Sequence, residues 1–195
     1  MKALFVTALL YLFAQAGWAQ SKIISIPSIP TDMDKFIQLR NQTATSPEGG
    51  AAIFVVAMLM YSQDASLGMQ AFTVALDQSR VVEGSIYQGF APVQGAKYDI
   101  ENYYGKHKDH LANSYIIGTK TENNYKLGNL PYKMEFTRNK YSGQSNGAMR
   151  IFIKCNGAAS ARPITLKQND KGIWKVSEFS SLFVGVAKPA AADRL

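Results

Sequence analysis

Two periods divide this chain. Before about residue 79, apolar residues recur at helical spacing or fill whole stretches; after about residue 113 they alternate with polar ones. The first nineteen residues stand apart from both. Lys2 precedes an apolar run over 3–13, and small residues follow at Ala14, Ala16, Gly17 and Ala19. That order predicts a secretory signal peptide over 1–19, cut after Ala19 or Ala16. The run is shorter than the ~20 residues a spanning helix needs. No cysteine lies near the cut, so the exported chain is expected to be periplasmic or extracellular and not lipid-anchored.

Residues 20–30 predict an extended lead-in, because Pro27 and Pro30 each push the preceding residue out of the helical region. Thr31 followed by Asp34 is a capping-box variant and predicts a helix over 32–43, with Met33, Phe36, Ile37 and Arg40 on one face. Ser46-Pro47-Glu48 is a strong helix start: a capping serine, proline in the first turn and an acid beside it. The stretch 51–61 that follows is apolar all round, so it must be enclosed, as the central helix of the core. Asp64 is expected to cap a third helix over 65–78, with Leu67, Ala71, Val74 and Ala75 inward. Residues 79–112 are broken by Gly84, Gly89, Pro92 and Gly95; they are expected to be mostly loop, with a short helix from 97 to 104. Long loops in compact domains are often functional.

The alternating half predicts five strands, over 114–118, 132–137, 149–155, 163–168 and 173–179. Tyr132, Met134 and Phe136 point one way along the second strand, and Met149, Ile151, Ile153 and Cys155 along the third. Trp174 and Val176 oppose Lys175 on the fifth, and Asn169-Asp170-Lys171-Gly172 makes the turn before it. Helices first and an antiparallel meander after predict an α+β domain over 31–186, its helices packed on a curved, five-stranded sheet. The tail 187–195 is expected to fray.

A sheet curved around one enclosed helix resembles a cystatin-like roll of the nuclear-transport-factor-2 type. The ending Gly172, Trp174, Lys175, Val176, Glu178, Phe179 and Ser180 is similar to the last strand of many such rolls. The pieces SPEGGAA at 46–52, SYIIGTKTENNY at 114–125 and ARPITLKQNDKGIWKVSEFSSLFVGV at 161–186 together resemble an uncharacterised bacterial family, a conserved domain of unknown function. That resemblance implies a bacterial origin and a single domain. It brings no catalytic residue, cofactor or partner.

Composition narrows the chemistry. With 47% hydrophobic and 18% charged residues the chain is globular. The formal charge of +7 favours weak attraction to anionic surfaces, but no block of five like charges occurs, so no specific nucleic-acid binding is expected. The lone Cys155 excludes an intrachain disulfide and is expected to be buried. His107 and His110, three apart, lack the third protein ligand of a catalytic zinc site, so no metal and no cofactor is expected. No nucleophile elbow, phosphate loop or dinucleotide fingerprint follows a strand. Tyr98, Tyr103, Tyr104, Tyr115 and Tyr125 gather around the least regular part of the chain, and tyrosines suit contact surfaces. The expected function is therefore a non-enzymatic binding module for a protein, a glycan or a small apolar ligand, using the 84–125 loops. The alternative is a small pocket enzyme, a hydrolase, isomerase or lyase, with His107, His110 or Asp99 as acid or base.

Overall fold

The computed structural model describes residues 21–190; the expected signal peptide and the last five residues of the expected tail lie outside them. Strand β1 (Ser21–Ile26) leads into helices α1 (Met33–Thr43), α2 (Pro47–Gln63) and α3 (Ala65–Ala75). A hairpin follows, β2 (Val81–Tyr87) and β3 (Phe90–Pro92), then α4 (Gln94–Tyr98), a π-helical turn (Asp99–Tyr104) and α5 (Lys108–Leu111). The second half supplies β4 (Tyr132–Thr137), β5 (Gly143–Ser145), β6 (Ala148–Ile153), β7 (Arg162–Gln168) and β8 (Trp174–Glu178). The main sheet runs β1-β4-β6-β7-β8, every neighbour antiparallel, with the short β5 also on β6. This is the α+β class that the order of periods implies.

Helix α2 is buried from Pro47 to Tyr61 and packs against β1, β6, β7 and β8 as well as α1 and α3. Ser46 caps it, its hydroxyl accepting from Gly49 N at 3.2 Å. Gly50 lets the helix lie on β8: a Cβ there would sit 2.6 Å from the Trp174 carbonyl oxygen. Beneath it Phe54 meets Phe179 at 4.9 Å and Phe72 at 5.1 Å between ring centroids. Full burial of such side chains stabilises by roughly 1.5–3 kcal/mol each, so this aromatic layer is the centre of the fold.

Four local expectations are corrected. The first helix is capped by Asp32 rather than Thr31, its carboxylate accepting from Lys35 N at 2.9 Å. Helix α3 stops at Ala75, because Leu76 bridges to Val176 and Asp77 caps a new turn, covering the β8 edge of the sheet. No strand forms over 114–118. Asn113–Tyr115 is a 3₁₀ turn, Ser114 Oγ donates to the Leu111 carbonyl at 2.7 Å, and the slot beside β4 is taken by β1. The lead-in is thus an edge strand of the main sheet. At the other end, Ala187 is tied by its N–H to the Gly157 carbonyl at 2.7 Å and by its carbonyl to the Tyr125 hydroxyl at 2.8 Å, so the anchored chain reaches that residue.

Candidate functional site

The stretch expected to be mostly loop is largely regular. Gln88 and Gly89, both at positive φ (46° and 83°), close the β2–β3 hairpin, and a bulge interrupts β2 between Glu83 and Tyr87. Beyond it, Ala96, Ile100 and Tyr104 recur every fourth residue and are fully buried, pinning α4 and the π-helical turn to the core. The opposite face of this helical segment carries Tyr98, at the end of α4, and Tyr103, on the turn, 56% and 49% exposed and in edge-to-face contact at 5.9 Å.

The five candidate tyrosines therefore divide. Tyr104, Tyr115 and Tyr125 are core residues and line none of the clefts described below. The Tyr104 hydroxyl lies 2.7 Å from Ser62 Oγ, and Tyr115 donates to the Leu182 carbonyl at 2.7 Å. Burial pushes the Tyr115 hydroxyl well above the ordinary tyrosine range. Tyr98 and Tyr103 alone among the five present their rings to solvent.

The acid/base candidates fall in two places. His107 and His110 share a cleft of about 270 Å³ with Tyr103, Leu111, Phe183 and Val186; their ring centroids are 6.2 Å apart. His107 is exposed, whereas His110 is buried and stacks on Tyr125 at 5.7 Å. Asp99 lines a different groove, with Arg80, Tyr98, Glu178 and Ser180. Burial and the Glu178 charge push its carboxyl up, against the pull of Arg80. The Tyr98–Tyr103 contact lies between the two clefts, so the histidines and the carboxylate do not share a cavity. Among the described residues no three His, Cys, Asp or Glu side chains group closely enough to hold a metal ion. Cys155 is buried, 3.4 Å from Ser114 Oγ.

A third groove has no counterpart among the sequence candidates. It lies between α1, α3, the β2–β3 hairpin and β8, has a volume of about 410 Å³, and is lined by Ile37, Val74, Tyr87 and Phe90 together with Arg40 and Lys175. One signal pointed there: Arg40 is a cation on the otherwise apolar face of the first helix. The hairpin side of the groove carried none, because Gly84 and the bulge break the alternation of β2.

No helix among the described residues is long and apolar enough to cross a membrane. No curated protein and no solved structure matches the chain. A family model, Domain of unknown function (DUF6935), matches residues 28–190, from just after β1 through the last described residue. The chain belongs to that family.

Proposed function

We propose that this chain is an exported bacterial domain that binds a protein, a glycan or a small apolar ligand and performs no chemistry on it. The observation that carries the reading is the Tyr98–Tyr103 pair: two large, half-exposed rings in mutual contact on a helical segment anchored by three buried residues. A rigid aromatic pair offers contact area at little loss of conformational entropy on binding. The enzyme reading has less support, because acid/base work needs groups within hydrogen-bond reach of one reacting centre. Here His107 and His110 line one cleft and Asp99 another.

Export rests on the pattern of Lys2, the apolar run over 3–13 and the small residues ending at Ala19. That pattern supports a periplasmic or extracellular location. The enclosure of α2 against β6, β7 and β8 supports a roll of the cystatin or nuclear-transport-factor-2 type. The charge of +7 supports weak attraction to anionic surfaces.

Native mass spectrometry of the protein isolated from its own cells identifies what remains bound, and a glycan array adds a defined panel. For a ligand found in either way, Tyr98→Ala combined with Tyr103→Ala is expected to weaken binding at least about tenfold, with the unfolding midpoint unchanged. Equal binding by the double variant sinks the reading. So does a hydrolase, isomerase or lyase turnover that His107→Gln, His110→Gln or Asp99→Asn abolishes.

A further inference from the structure

The third groove combines apolar wall residues with two cations. One part of its wall is apolar, with Ile37 from α1, Val74 from α3, and Val81 and Phe90 from the hairpin, while Thr73, Gln78, Tyr87 and Gln88 add neutral polar groups. Phe90 sits beside the hairpin tip and leaves 52% of its surface in water. Set among these walls are two cations, Arg40 and Lys175, and among the described residues no acid lines the groove.

Neither cation forms an ion pair among the described residues. Arg40 donates from Nε and a terminal nitrogen to Asn41 Oδ1, at 3.1 and 2.7 Å, a neutral acceptor on its own helix. Among the described residues no carboxylate comes within ion-pair distance of Arg40 or Lys175, and Lys175 Nζ makes no hydrogen bond. Lys175 also lines the adjoining polar cleft with Asp77 and Asp170; Asp77 is the acid that acts on it, and its Oδ1 accepts from Ser79 N at 3.0 Å and from Ser79 Oγ at 2.6 Å. Burial pulls the Lys175 ammonium below the ordinary lysine range, and the like charge of Arg40 pulls it further. Burial also lowers Arg40. Two partly desolvated cations facing one apolar groove form a site that an anion would relieve, and apolar walls select an anion whose body is hydrocarbon.

We propose that this groove binds a small amphipathic carboxylate, its acid head between Arg40 and Lys175 and its apolar body against Ile37, Val74, Val81 and Phe90. The guanidinium offers a planar fork to the head group and the ammonium a point charge. The hairpin supplies the outer wall, with Phe90 as its cover. The site is separate from the Tyr98–Tyr103 surface and does not depend on it.

The test uses decanoate as probe, below its micelle concentration, titrated into the purified protein by calorimetry and by amide NMR. One saturable site per chain is expected, with shifts centred on α1, the β2–β3 hairpin and β8. Lys175→Met and Arg40→Gln should each weaken decanoate at least about tenfold, as loss of a charged hydrogen-bond partner does. Arg40→Lys should retain part of the affinity, and Phe90→Ser should lose severalfold. Decanol should bind at least about tenfold more weakly than decanoate, and decyltrimethylammonium not at all. Tyr98→Ala with Tyr103→Ala should leave decanoate binding unchanged, which keeps this site distinguishable from the surface proposed above. Absence of decanoate binding up to millimolar concentration overturns the proposal. Equal affinity for decanol, or undiminished binding by a folded Lys175→Met protein, overturns it as well.

Discussion

Two regions of this molecule take charge partly out of water, and they do it in opposite ways. At the start of α2, Glu48 is 4% exposed and is met by Arg138 at 2.7 and 2.9 Å and by Lys22 at 3.5 Å. At the groove between α1, α3 and β8, Arg40 and Lys175 are half-buried, and among the described residues no acid comes within ion-pair distance of them. The first arrangement is complete within the chain and joins three elements: α2, the edge strand β1 and the residue after β4. The second is complete only with a partner from outside. A buried charge that carries its own counter-charge reads as architecture, and one without it reads as a binding site.

The comparison is tested most severely at Arg138. Arg138→Ala leaves the Glu48 carboxylate buried with only Lys22 nearby, and breaking such a pair from one side is strongly destabilising. The Arg138 side chain keeps 42% of its exposure, so solvent screening brings the loss below that of a fully buried pair, to about 2–3 kcal/mol. For a domain of this size that is a fall of about 4–12 °C in midpoint. Adding Glu48→Gln to Arg138→Ala should restore part of the loss, because the uncompensated charge is gone. A midpoint within 1 °C (about 0.3 kcal/mol) of wild type for Arg138→Ala would reduce the clamp to a surface contact.

Acid titration sharpens the same point with a smaller effect. Burial by itself would raise the Glu48 carboxyl. The helix-start backbone N–H, the Arg138 hydrogen bonds and charge, and Lys22 outweigh burial and hold the carboxyl below the ordinary value of 4.5. A carboxyl depressed in the folded state contributes stability that is complete above its unfolded pKa and is lost as pH falls through the folded one. Wild type should therefore lose stability below about pH 4.5 more steeply than Glu48→Gln. Asp32, Glu122 and Glu178 are also held low, but they titrate alike in both proteins and cancel in the difference. Parallel acid limbs for the two proteins would remove the linkage.

How much of this was legible follows the same division. The clamp's helix start was plain, since Ser46-Pro47-Glu48 before an all-apolar run leaves one interpretation. Arg138 and Lys22 were not assignable to it, because the pairing of β1 with β4 joins distant parts of the chain and no local pattern encodes it. The strand expected over 114–118 failed for the converse reason. Its residues suit a strand, but Ser114 turns its hydroxyl back to the Leu111 carbonyl and Gly118 at φ 94° ends the extended run. Tyrosine as a residue type does not say which end is wet. The spacing of Ala96, Ile100 and Tyr104 did carry that information, and it would have separated Tyr104 from Tyr98 and Tyr103. Arg40 on an apolar helix face and Lys175 on the outer side of β8 were each visible alone, but their convergence belongs to the tertiary fold.

The smallest expected effect falls on the groove and has the opposite sign to that at the clamp. Burial and Arg40 lower the folded pKa of Lys175 from its ordinary value of 10.5. The folded protein then binds fewer protons than the unfolded chain between those two values, so this group's contribution to stability rises with pH across that window. Below it, the charged ammonium is a net burden on the fold. Lys175→Met keeps the aliphatic stem and removes the charge, and should raise the midpoint at neutral pH by about 1–3 °C. Its advantage should shrink as pH approaches 10.5. Tyr115, held high by burial, works against stability in the same alkaline range, but it is common to both proteins and drops out of their difference. A lysine whose removal stabilises the fold is not there to hold the fold together, and that is the distinction drawn against Arg138. If Lys175→Met instead lowers the midpoint as Arg138→Ala does, Lys175 has a counter-charge or packing role of its own, and the two regions are alike after all.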